Sequence, residues 1–163
     1  MRGARVIGTV STDAKAALAR QMGADETINY EAQDFEVEVK RITQGRGVQA
    51  VYDSVGKTTF DKSLNCLAPR GVLALYGAAS GPVPPVDINQ LGPKGSLFIT
   101  RPSLVHHTLT RQDLLQRSGE VFGWVASGKV KVRIEGKWPL AEAAQAQAKL
   151  QSRDTTGKLL LVP

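Results

Sequence analysis

The hydrophobic and polar positions of this chain follow two alternating periods. Short apolar, β-branched runs recur at residues 4–10 (ARVIGTV), 27–30 (TINY), 48–56 (VQAVYDSVG), 72–76 (VLALY), 96–100 (SLFIT) and 158–162 (KLLLV). Runs of this length beside turn residues predict buried strands. Between them the period lengthens to that of a helix. Residues 14–22 are rich in alanine and leucine and end at Gly23, with Ser11, Thr12 and Asp13 as possible caps. Phe35, Val39 and Ile42 fall on one face of a helix that Asp34 caps and that Gly45 and Gly47 end. Phe60, Leu64 and Leu67 share one side of a helix starting at Thr58 or Thr59. Residues 109–126 predict the longest helix, and 140–150 an alanine-rich one. Residues 130–134 alternate apolar with basic, a strand with one wet face. Pro69-Arg70-Gly71 reads as a turn. Residues 77–93, rich in proline and glycine, read as an irregular loop with one helical turn near 88–91.

The first four strands and their helices run β-α-β-α-β-α-β. Connections this short imply parallel strands and right-handed crossovers, hence an α/β fold with a doubly wound sheet. Ser11, Tyr30, Ser54 and Gly77 each follow the apolar body of a strand. Four small or polar residues along the carboxyl edge of a parallel sheet match the geometry of a dinucleotide site. A G-x-G-x-x-G loop between a first strand and a helix is absent from the sequence. If residues 4–10 form the second strand of such a fold, the first strand and its glycine loop lie upstream of Met1. That strand belongs in the middle of the sheet. Strands 4–10 and 48–54 are then expected to flank its place.

Composition narrows the reading. The 163 residues suffice for a domain with a core, and no apolar run is long enough to span a membrane. A single cysteine, Cys66, cannot form an internal disulfide, which fits a reducing, cytoplasmic setting. The net charge of +6 is scattered, with no basic run longer than two. It suits a solvated surface or an anionic ligand such as a phosphorylated nucleotide. No basic stripe with interleaved aromatics favours nucleic acid.

Candidate chemistry concentrates at the strand ends. NAD-binding folds place an acidic residue after the second strand; here Ser11 holds that place, with Lys15 one helical turn on. A hydroxyl beside a lysine suits a 2′-phosphate, and Asp13 is better placed as a cap. Gly56-Lys57-Thr58 resembles the end of a phosphate loop, but the glycine required at position 51 is valine. His106 and His107 are adjacent, and with one cysteine no zinc set can be assembled. No catalytic acid, base or nucleophile is nominated. Arg101, at a strand exit, and Arg153, in the polar loop SRDTTGK, each read equally as phosphate contacts or as surface.

Three stretches carry a family resemblance: GTVSTDAKAALARQMGADETINY, VYDSVGKTTFDKSLNCLAPRGVLALYGAASGPVPPVDI and KGSLFITRPSL. With PLAEAAQAQAKLQSRDTTGKLLLVP they cover nearly the whole chain, which closely resembles zinc-free quinone oxidoreductases. These form the zeta-crystallin-like branch of the medium-chain dehydrogenase/reductase family. The resemblance implies a GroES-like catalytic domain plus a Rossmann domain, NADPH as cofactor, a quinone or enone as substrate, and no metal. It places Ser11 and Lys15 at the adenosine 2′-phosphate and Tyr30 beside the adenine ribose. Ser54, Tyr76 and Gly77 fall along the cofactor, Thr100 and Arg101 near the nicotinamide, and Arg153 near the cofactor in the C-terminal loop. Ala78 and Ala79 stand where relatives often carry a polar residue.

The resemblance divides the chain into a partial NADP-binding Rossmann domain, 1–128, and a segment, 129–163, returning to the catalytic domain. The Rossmann domain lacks its first strand and glycine loop, so the chain is expected to be inactive as a fragment. The rival readings are a non-catalytic NADP-binding domain and a dimerisation module that pairs through residues 96–100.

Overall fold

The computed structural model describes residues 3–152 and 154–163. It forms two compact units, divided between His107 and Thr108. The first contains β1 (Ile7–Val10), α1 (Asp13–Gln21), β2 (Glu26–Asn29), α2 (Phe35–Ile42), β3 (Val48–Asp53), α3 (Phe60–Asn65), β4 (Leu67–Leu75), β5 (Phe98–Thr100) and α4 (Leu104–His107). All its ladders are parallel. They form two sheets, β1-β2 and β3-β4-β5, and no ladder joins β1 to β3 among the described residues. The place expected between strands 4–10 and 48–54 is where the sheet divides.

Helix caps follow the local chemistry. Of the three candidates before α1, Thr12 is the cap: its side chain accepts from the Lys15 backbone N–H. Asp34 caps α2 by accepting from the Glu36 N–H at 2.9 Å. Each such cap satisfies a donor that the helix leaves orphaned.

Two clusters make the core of this unit. Phe60, Leu64, Leu67, Leu73 and Leu97 close beneath β3, β4 and α3. Ile28, Val39 and Cys66 form the other, with Ile7, Phe35, Ile42, Val48 and Val51 packed against them. The second cluster touches β1, β2, α2 and β3, so one core underlies both sheets. Burial pushes the Cys66 thiol up to about 12, because a thiolate there would lose its water.

The turn expected at residues 69–71 lies inside a strand. Val48 pairs with Leu67 and Ala50 with Val72, so residues 68–71 form a bulge in β4. Arg70 adopts φ +61° there and its N–H reaches the Gly95 carbonyl at 2.7 Å. The bulge presses on Gly47, where a Cβ would stand 2.6 Å from the Ala68 nitrogen.

The second unit holds α5 (Arg111–Ala126), β6 (Ile134–Pro139), α6 (Ala143–Gln151) and β7 (Lys158–Val162). The strand expected at 130–134 is displaced toward the C-terminus. Its alternation is real, but the partner β7 pairs in parallel with 134–139 instead. The Glu135 carboxylate accepts from the backbone N–H and the hydroxyl of Thr156, fixing the turn before β7. These bonds hold the Glu135 carboxyl below its usual range.

Candidate functional site

The carboxyl ends of β1 and β2 meet at one corner. The Tyr30 N–H donates to the Val10 carbonyl at 2.9 Å, which sets Tyr30 beside the start of the β1–α1 turn. The Lys15 ammonium lies 3.4 Å from the Ser11 hydroxyl oxygen. Asn29 donates its side-chain N–H to the Asp13 carboxylate at 3.1 Å, drawing that negative charge toward the end of β2. Ser11 and Lys15 thus pair a hydroxyl with a cation, and Tyr30, 44% exposed, is anchored by its backbone at the neighbouring strand end.

The ends of β3, β4 and β5 form a second group. The Tyr76 and Gly77 N–H groups both point at the Asp53 carbonyl, at 2.9 and 3.4 Å. A Cβ on Gly77 would lie 2.3 Å from the Ser54 carbonyl oxygen, so only glycine permits this approach. Beyond it the two loops are laced. Ala79 N–H donates to the Ser54 carbonyl, Ser80 N–H to the Val55 carbonyl and Lys57 N–H to the Gly81 carbonyl. The Ser80 hydroxyl donates to the Val55 carbonyl and accepts from the Thr58 N–H. Thr100 sits beside Ala74 in the ladder, and the Arg101 guanidinium donates to the Leu75 carbonyl at 2.8 Å. Ser54, Tyr76, Gly77, Thr100 and Arg101 therefore share one sheet edge. Arg153 lies outside the described residues.

Asp53 ends β3, immediately before Ser54. Its carboxylate is 4% exposed and turned inward. It accepts from Val55 N–H (2.8 Å), Gly56 N–H (3.0 Å), Thr59 hydroxyl (2.8 Å) and Ser63 hydroxyl (2.8 Å). Burial alone would raise its pKa, but the hydrogen bonds from Thr59, Gly56, Ser63 and Val55 prevail and hold the carboxyl below its usual range. Asp53 shapes the β3–α3 loop, and Ser54 beside it is half-buried. The signal was present: Thr59 and Ser63 recur on the side of α3 that also carries buried Phe60.

Among the described residues no three of His, Cys, Asp and Glu gather to hold a metal. With Cys66 buried in the core and only two histidines in the chain, the residues do not fit a zinc ion.

A parallel α/β unit with polar strand ends is a nucleotide-binding architecture, and the chain belongs to the zinc-binding dehydrogenase family, whose model matches residues 22–161. Within that family it is 48% identical to 2-haloacrylate reductase of Burkholderia sp over 99% of its own length and 49% of that protein. It is 45% identical to quinone oxidoreductase of Pseudomonas aeruginosa, over 99% of this chain and 50% of that one. Two solved structures superpose with a TM-score of 0.93: a Pseudomonas syringae quinone oxidoreductase at 44% identity and the Escherichia coli quinone oxidoreductase complexed with NADPH at 45%. Each match covers 99% of this chain and 50% of the other. The chain spans about half the length of the curated relatives it matches.

Proposed function

We propose that this chain supplies the Rossmann-type, NADPH-holding half of a quinone oxidoreductase and is inactive without the remainder. The observation that carries the reading is the convergence of eight predicted residues on the carboxyl ends of parallel strands. Ser11, Lys15 and Tyr30 form one corner, and Ser54, Tyr76, Gly77, Thr100 and Arg101 the other edge. A lysine beside a hydroxyl, with Asp13 turned toward Asn29, suits a 2′-phosphate. The bare approach of Gly77 to Ser54 suits a planar cofactor lying along the sheet edge. When bound, NADPH supplies the hydride; this half binds and orients it. Lys15 and Ser11 hold the phosphate, Tyr30 flanks the adenine ribose, and Arg101 stands at the nicotinamide end. Arg153 is assigned to the same cofactor. No zinc step is assigned, because the donor set is unsuited to it.

The substrate is a quinone or an enone. A quinone and a 2-haloacrylate, named for two of the relatives, share a carbon–carbon double bond conjugated to a carbonyl. Residues 1–128 serve the cofactor and 129–163 return to the catalytic domain. The setting proposed is cytoplasmic; among the described residues no helix is long and apolar enough to cross a membrane.

The test is a chimera that joins this chain to the half of the Escherichia coli quinone oxidoreductase it does not match. The chimera is expected to oxidise NADPH with a quinone, and Lys15→Ala to weaken NADPH binding by roughly ten- to a hundredfold. That follows from about 1.5–3 kcal/mol for a charge-assisted hydrogen bond and tenfold per ~1.4 kcal/mol. NADH binding should hardly change, and the NADPH effect should shrink with salt. Equal loss for both nucleotides would move Lys15 out of the 2′-phosphate site. A chimera that binds NADPH without turnover would favour the non-catalytic reading.

A further inference from the structure

Asn29 ends β2 opposite Val10 in the ladder, where the chain on the β1 side passes into Ser11 and the turn before α1. Its carbonyl accepts from the N–H groups of Ala32 at 3.1 Å and Gln33 at 2.9 Å. Its side chain works in two directions. Oδ1 accepts from the Glu31 N–H at 3.2 Å, and Nδ2 donates to the Asp13 carboxylate at 3.1 Å. The Glu31 N–H needs an acceptor and the carboxylate needs a donor, so the amide has one orientation. Tyr30 lies inside the turn that these bonds close, with its own N–H on the Val10 carbonyl.

Asp13 stands in the first turn of α1, two residues after Ser11. In nucleotide-binding folds an acidic group beyond this strand accepts from a ribose 2′-hydroxyl, which disfavours a phosphate at the same oxygen. Ser11 holds that position here, and Asp13 is the carboxylate next along the chain. Its Oδ1 is engaged by the Asn29 amide, while the Lys15 ammonium lies against the Ser11 hydroxyl. The two charges of the turn are thus given separate partners, on β2 and at the end of β1.

We infer that Asn29 is a positioning residue that sets nucleotide choice. It holds the Asp13 carboxylate at the end of β2, so that this charge neither accepts from a ribose hydroxyl nor faces a 2′-phosphate. The inference rests on the reading of Ser11 and Lys15 as the 2′-phosphate site. A released Asp13 has two effects of one sign. It repels a phosphate, and it offers an acceptor to an unmodified 2′-hydroxyl. Both favour the nucleotide without the phosphate. The bond to Glu31 does a different job: it steadies the turn around Tyr30, and its loss weakens both kinds of nucleotide alike.

The experiment titrates the whole chain with adenosine 2′,5′-bisphosphate and with adenosine 5′-monophosphate. Binding is followed by backbone NMR shifts at Ser11 and Lys15, and the readout is the ratio of the two dissociation constants. The parent chain is expected to prefer the bisphosphate. Asn29→Ala should lower that preference by about fivefold; a merely structural role would weaken both probes and leave the ratio unchanged. Asp13→Asn keeps an oxygen that accepts from Asn29, so alone it should change the ratio little. Added to Asn29→Ala it should restore the parent preference, although the Glu31 bond is still missing. Asn29→Asp keeps an acceptor for the Glu31 N–H but sets a second carboxylate against Asp13. It should lower the preference further while the Glu31 amide still exchanges slowly. A ratio unchanged in both Asn29 variants overturns the inference. So does a fall in Asn29→Ala that Asp13→Asn does not repair, or a parent chain that binds the two probes equally or not at all. Turnover by the chimera beside an unchanged ratio removes this role of Asn29 and leaves the functional reading standing. A chimera without turnover, beside a ratio that falls and is repaired, does the reverse.

Discussion

Asp53 is a carboxylate with four donors and almost no water around it. Asp53→Asn places an amide N–H₂ either against the two backbone N–H donors or against the two hydroxyls, removes the charge they serve, and should cost on the order of 2–4 kcal/mol in urea unfolding. The pH dependence has a definite sign. The unfolded carboxyl titrates near ~3.9, and the folded one lies lower. The stabilisation is complete above the unfolded value and is lost as pH falls through the folded one. Unfolding midpoints followed downward from pH 5 should therefore drop more steeply in the parent chain than in Asp53→Asn. At this scale the sequence was half legible. That strand 48–56 ends in polar residues was plain from VYDSVG, and so was its place at the ligand edge. Which of Asp53 and Ser54 turns inward depended on Thr59 and Ser63, which a helix brings within reach from six and ten residues away.

At the scale of elements, Gly77 ties the end of β4 to the end of β3. Gly77→Ala would force a methyl to within 2.3 Å of the Ser54 carbonyl oxygen. Backbone cannot yield there without parting the laced loops at 54–59 and 77–81. Calorimetry should show a loss of about 1–3 kcal/mol, and the chimera should lose NADPH binding with it. The strands and helices of the first unit were readable because each carries its own periodicity and cap: Asp34 before Phe35-x-x-x-Val39 is sufficient for α2. The bulge at 68–71 and the shift of β6 were not readable. Both are set by register against a partner strand, by Leu67 opposite Val48 and by Lys158 opposite Ile134. Nothing within residues 130–134 encodes where β7 will pair.

At the scale of the whole molecule, β5 is the last strand of its sheet, with Phe98 and Ile99 exposed. We expect two copies to pair through this edge and extend the sheet across a two-fold axis. Sedimentation equilibrium should find a dimer that Phe98→Pro reduces to monomer. A monomer at all concentrations, or a dimer indifferent to that proline, would remove the proposal. The same fold also carries its own timepiece. Cys66 sits in the cluster shared by the two sheets, and its thiol is held in the protonated, unreactive form at neutral pH. A disulfide reagent can reach it only during an excursion that opens this cluster. Each labelled molecule then records one such opening, and the labelling rate counts how often the core breathes.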